Sequence, residues 1–139
     1  MTHELFWTIA LSLLLSQGAK ILIYIFKHGE QFHWKDLIVT GGMPSSHSAV
    51  VTGLTLALYM YSGLSPLFYL SLVFSLIVLR DAMGVRRTAG EEGKVLNQLI
   101  KKTKVHIPEM HYALGHTPME VNVGMLIGII SAFAVYMSV

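Results

Sequence analysis

The chain has 139 residues, 53% hydrophobic and 13% charged, with a formal net charge of +2. Soluble domains carry about 25% charged residues, so the composition excludes an ordinary water-soluble domain and leaves chain enough for one membrane domain, residues 1–139. With no cysteine, a disulfide framework and a thiolate site are excluded as well.

Four segments are apolar enough to span a bilayer. Leu5 to Phe26 is broken only by Ser12, Ser16, Gln17 and Lys20. It lacks a basic leader and a clear small-residue cleavage site, and so reads as a retained span. Next comes "HWKDLIVTGG", His33 to Gly42, whose Trp34 and Lys35 suit an interface; a short helix or a re-entrant segment fits. Ser45 to Ser62 and Pro66 to Met83 follow, joined by the tight turn "SGLSP". A helix of about 18 residues is about 27 Å long, just enough to cross the hydrocarbon. Then "EEGKVLNQLIKKTK" places Val95, Leu96, Leu99 and Ile100 at helical spacing among lysines. It predicts an amphipathic helix, lying on the membrane surface or packed on the ends of the spans. Val121 to Val139 is the fourth span.

These elements predict an all-α integral membrane helical bundle of four or five spanning helices plus a short cytoplasmic amphipathic helix. All ten Lys and Arg fall between Lys20 and Lys104. With four spans, the two basic loops share one side, and the positive-inside rule makes that side cytoplasmic. Both termini then face outward in a multi-pass protein of the cell membrane. Nucleic-acid binding is not expected, since these basic residues are the ones that cytoplasmic loops require.

Three polar clusters punctuate this apolar chain. The first is "GGMPSSHSAVV", Gly41 to Val51. Ser45 or Ser46 caps the helix that follows Pro44, and a helix N-terminus attracts an anion through its free N–H groups and dipole. His47 stands in the first turn, where it can donate to a bound oxyanion or simply be solvated. The second is "LGHTPMEVNVG", Leu114 to Gly124. Thr117, Pro118 and Glu120 spell a capping box with proline at the first helical position. His116 precedes the cap, within reach of the Glu120 carboxylate, which can fix the imidazole tautomer and make the ring a nucleophile or base. The third is "RDAMGVRRTAGEEG", Arg80 to Gly93. Arg86 and Arg87 can clamp a phosphate or merely anchor a helix end, and Asp81 can hold one of them. Lys20, inside the first span, either serves a polar pocket or snorkels. All these groups fall on one membrane side, a combination suited to a phosphoryl group. A metal site from His47, His106, His111, His116, Asp81 and Glu120 is a weaker reading, because seven histidines always allow some ligand set to be chosen.

Lys20, "GGMPSSHSA", "DAMGVRR.AG" with "VLNQL", and "LGHTPMEV" together resemble the divergent branch of the type-2 phosphatidic acid phosphatase family, relatives of acid phosphatases and vanadium haloperoxidases. The resemblance runs across nearly the whole chain. Pro44, Ser45, Ser46 and His47 match the broader family's PSGH motif with serine for glycine; His116 and Glu120 match the end of its SRxxxxxHxxxD motif with glutamate for aspartate. The resemblance implies His116 as a nucleophile that forms a phosphohistidine, Glu120 as its orienting partner and His47 as the proton donor to the leaving oxygen. It implies Lys20, Ser45 and Ser46, with backbone N–H groups, as phosphate ligands, and no metal or other cofactor. Two departures stand out. The family's arginine six residues before the nucleophile falls on Met110, and no arginine-proline pair follows Lys20. Arg86 and Arg87 can supply the missing charge. The family usually has six spans, so a bundle of four or five suggests completion by a second copy as a homodimer. The function expected is hydrolysis of a lipid phosphate or diphosphate; the alternative is a non-catalytic membrane protein that binds or transports a phosphorylated lipid or anion.

Overall fold

The structure is a computed structural model that describes residues 2–28, 42–103, 107–108 and 115–138. Five helices run through them: α1 Thr2–His28, α2 Ser46–Ser62, α3 Pro66–Met83, α4 Val85–Thr103 and α5 Pro118–Met137. No strand occurs among the described residues. The expected short element over His33–Gly42 lies outside them, apart from Gly42.

Local chemistry sets the helix limits. Ser45 caps α2 by accepting from the Ser48 N–H, and Ser65 caps α3 in the same way, with Pro66 at its first position. Gly63, at φ 60°, ends α2 in a conformation that side chains disfavour. The span expected from Val121 begins at Pro118 instead, because Thr117 and Glu120 form a complete capping box. The amphipathic helix also begins earlier than expected, at Val85. A single residue, Gly84, separates it from α3, so Arg86 and Arg87 belong to the first turn of α4 and not to the end of a span.

The run of packing contacts gives the topology. Ser12 of α1 meets Gly53 of α2, and Thr55 of α2 meets Ser71 and Ser75 of α3. Ser45, Ala49 and Tyr61 of α2 meet Gly124, Gly128 and Tyr136 of α5 in order. Thus α2 runs antiparallel to α1 and α3 and parallel to α5. It is the central helix, touching the other three. The N-terminus of α1 and the C-terminus of α5 lie at one end of the bundle; the N-termini of α2 and α5 lie at the other.

The interior is small and hydroxylated, and the exterior is large and apolar. Thr8, Ser12, Ser16, Ser48 and Ser131 are buried, whereas Leu14, Leu70, Phe74, Ile77 and Ile130 are more than half exposed. Soluble proteins avoid contiguous apolar surface of that extent; helices in lipid pack through small residues and turn their large ones outward. At Gly124 a methyl group would strike the Ser45 carbonyl, and at Gly128 the Ala49 carbonyl. These glycines bring the α2 and α5 backbones into contact. Some buried hydroxyls bond to one another, as where Thr55 Oγ1 lies 2.7 Å from both Ser71 Oγ and Ser75 Oγ, and others donate to carbonyls of their own helix, as Thr8, Ser16 and Ser131 do.

Among the described residues, three stretches are long and apolar enough to cross a membrane: Thr2–Phe26, the run beginning at Pro66, and Pro118–Met137. The fourth apolar helix, α2, has 17 residues, about 26 Å at 1.5 Å per residue. It is sheathed by the other three. The molecule is a helical membrane bundle. Unlike them, α4 buries only Gly90, Gly93 and Asn97 and leaves Val85, Val95, Leu96 and Leu99 exposed.

Candidate functional site

The parallel packing of α2 and α5 brings two helix N-termini together. Each leaves N–H groups without intrahelical partners and concentrates positive dipole charge. The two ends are tied directly, since the Ser45 N–H donates to the Glu120 carbonyl at 3.1 Å. Gly124, packed on Ser45, permits this approach.

On α5, one carboxylate oxygen holds two groups at once. Glu120 Oε2 accepts from the Thr117 N–H at 3.1 Å and lies 3.1 Å from His116 Nδ1. The capping role and the histidine-orienting role are therefore simultaneous. Thr117 Oγ1 returns the cap by accepting from the Glu120 N–H at 3.3 Å. The His116 N–H donates to the Ala82 carbonyl at 3.0 Å, at the end of α3. Backbone and ring are thus held from two helices, and the residue is only 8% exposed. With Nδ1–H donated to the carboxylate, Nε2 carries the free lone pair.

On α2, the two serines divide the work. The Ser45 hydroxyl is engaged in capping and accepts from Ser48 Oγ at 2.9 Å. Ser46 Oγ is buried with no hydrogen-bond partner among the described residues. His47 projects from the same turn and is exposed. Arg86, His116 and Lys20 lie within electrostatic range of its ring, and Glu120 lies within range of Lys20. Lys20 on α1 is half-buried. Side chains from α1, α2, α4 and α5 therefore share one electrostatic neighbourhood.

The arginines are differently placed. Arg86 Nε pairs with Asp81 Oδ2, so it is Arg86 rather than Arg87 that Asp81 holds, and Arg86 remains in range of His47. Arg87 pairs with Glu91 along the surface of α4 at 3.1 Å. The Gly115 backbone packs against that of Arg86 and Arg87, which seats the start of α4 beside His116. Among the described residues no group of three or more His, Cys, Asp or Glu side chains is placed to hold a metal ion. His106, His111 and Met110 lie outside the described residues.

Two features were missed in the sequence: the Ala82 carbonyl that holds His116, and the Ser45–Glu120 backbone link. Both use groups that every residue carries, and no side-chain signal marks them. As assembled, the cluster offers a buried imidazole with a fixed tautomer, a second imidazole, an ammonium group, a buried hydroxyl and two helix N-termini. That set can receive a tetrahedral oxyanion and exchange protons with it.

The chain is 38% identical over 143 residues to a protein of Bacillus subtilis (strain 168) described as "Uncharacterized membrane protein YuiD", with 85% of this chain and 89% of that protein covered. No solved structure matches it. A family model described as "Divergent PAP2 family" matches residues 1–131, nearly the whole chain and both helix N-termini of the cluster, and the protein belongs to that family.

Proposed function

We propose that the protein is a membrane phosphatase that hydrolyses a lipid phosphate or diphosphate through a phosphohistidine. The observation that carries this reading is the His116 Nδ1–Glu120 Oε2 pair at 3.1 Å, which leaves the lone pair on Nε2 of a residue next to the cap of α5. Nε2 attacks phosphorus, and the bond from phosphorus to the leaving oxygen breaks. His47 gives its proton to that oxygen, releasing an alcohol or, from a diphosphate, a lipid monophosphate. Water then attacks the phosphohistidine, its proton passes to His47, the P–N bond breaks and inorganic phosphate leaves.

Lys20, Ser46 and the N–H groups of the first turn of α2 stabilise the equatorial oxygens, and Arg86 adds positive charge. Ser45 acts through its cap, holding that turn in place. Catalysis of this kind rests on positioning and on dipoles fixed before the reaction. The lipid tail stays in the bilayer while the headgroup enters at the cytoplasmic face.

A second reading keeps the pocket and drops the nucleophile: a protein that binds or moves a phosphorylated lipid or anion. The pairing of Arg86 with Asp81 and of Arg87 with Glu91 favours it, because both guanidinium groups already have carboxylates. Purified protein assayed with a panel of lipid phosphates decides. Phosphate release that is inhibited by vanadate and absent in His116→Ala supports the enzyme. Lipid binding that survives His116→Ala, with no release from the unsubstituted protein, supports the carrier.

A further inference from the structure

Beside the polar cluster lies a cavity of about 540 Å³ between α2, α3 and α5. Its volume is that of a small-molecule site, but its walls are nearly all hydrocarbon. α3 packs on α2 and barely touches α5, so the cavity lies where the bundle is open between them. Its long axis follows the helices. Along α3 the wall runs from Leu79 to Phe68, three turns or roughly 16 Å at 1.5 Å per residue. The hydrocarbon core of a bilayer is about 30 Å thick, so the slot is about one leaflet deep.

The two ends of the slot differ. The far end holds rings: Tyr59, Phe68 and Phe133 line it, with the Tyr59 and Phe68 centroids 5.5 Å apart. The near end, at Thr52, Leu79 and Met125, stops about one helical turn short of the candidate site and lies in register with it. Phe68, Leu72, Ser75 and Leu79 form one face of α3; the next residue on that face is Ala82, whose carbonyl holds the His116 N–H. On α2 the lining residues Thr52, Thr55 and Tyr59 continue the face that begins with Ser45 and Ser48. On α5, Met125 adjoins Gly124, which packs on Ser45.

We infer that this slot receives one hydrocarbon chain of the lipid whose phosphate occupies the His116–His47 cluster, with the chain tip against Tyr59, Phe68 and Phe133. The inference rests on the reading of that cluster as a phosphate site and deepens it. The lipid is recognised at both ends, by its oxyanion and by a chain that fits one leaflet's depth, and short-chain phosphates lose the second contact.

The test is photolabelling of the full chain in phosphatidylcholine vesicles. The probe is an alkyl phosphonate as long as the slot, with a diazirine at its chain tip; the control is the uncharged alcohol of equal length. The proposal expects phosphonate label on Tyr59, Phe68 or Phe133, loss of that label in Met125→Trp and in Ile129→Trp, and little label from the alcohol. Label on the outward residues Leu70 and Phe74 instead, or no label in the slot, overturns it. Equal labelling by the alcohol also overturns it, since the slot then takes bulk chains regardless of headgroup. Slot labelling without phosphate release from any lipid phosphate leaves this inference standing and removes the hydrolytic reading.

Discussion

The backbone N–H of Ser45 donates to the carbonyl of Glu120 at 3.1 Å, so the cap of one helix is fastened to the first turn of another that lies far along the chain. Through this link the segment bearing His47 and the segment bearing His116 are joined into one unit. Parallel helices normally repel at like dipole ends. Here the close glycine packing holds the ends together, and the resulting concentration of donors is what an oxyanion would find.

That unit depends on the space at Gly124. Gly124→Ala sets a methyl group against the Ser45 carbonyl, and overpacking of this kind costs about 1–3 kcal/mol. The expected outcome is a lower unfolding temperature in detergent together with a loss of phosphate release. Gly18→Ala, which meets nothing within 4 Å, is the control and should change neither. If Gly124→Ala has the stability and activity of the unsubstituted protein, the two helix ends are not held by this contact.

The two duties of Glu120 Oε2 can be separated. Glu120→Gln keeps an acceptor for the cap, because glutamine also serves in capping boxes, but removes the charge beside His116. Turnover should fall roughly 10²- to 10⁴-fold, the range typical of a positioned acid–base group, with little change in unfolding temperature. Thr117→Ala reverses the pattern. It breaks the cap, costs about 1 kcal/mol of stability, and leaves the His116–Glu120 pair in place. Equal losses of stability in the two variants would make Glu120 a structural residue alone.

The sequence carried the side-chain half of this arrangement and not the backbone half. Ser45, Pro66, Thr117 and Glu120 announce helix starts because such signals are local, so α2, α3 and the box at α5 could be anticipated from a few residues each. The start of α4 could not. Its first half carries Gly90 and Gly93 where an apolar stripe would be looked for, and periodicity becomes visible only from Val95 onward. Arg86 and Arg87 therefore resembled the end of α3. The meeting of Lys20, His47 and His116 at one end followed from counting spans and charges. The Ala82 carbonyl could not be found that way, since its role comes entirely from where α3 ends relative to α5.

Arg86 is half of an exposed pair with Asp81, their side chains 60% and 35% accessible. Such pairs contribute about 0.2–1 kcal/mol, so Asp81→Asn should barely alter the unfolding temperature. It releases the guanidinium while leaving it in range of His47. Tighter binding of inorganic phosphate or vanadate is expected in Asp81→Asn, and weaker binding in Arg86→Gln. No change in either variant would remove Arg86 from the anion site and leave Lys20 and the helix ends to hold the charge.

The same geometry makes sidedness testable. Ser62, whose hydroxyl donates to the Leu58 carbonyl at 2.6 Å, lies at the end of α2 opposite the histidine cluster, whereas Thr103 closes α4, which begins at the cluster's end. Because the chain has no cysteine, Ser62→Cys and Thr103→Cys each introduce one thiol against an empty background. In intact cells a membrane-impermeant maleimide should label Ser62→Cys and should reach Thr103→Cys only after lysis. That pattern would put the candidate site on the cytoplasmic face, the side that the clustering of Lys and Arg favours. Labelling of Thr103→Cys in intact cells would turn the site outward and make its substrate a lipid phosphate of the outer leaflet.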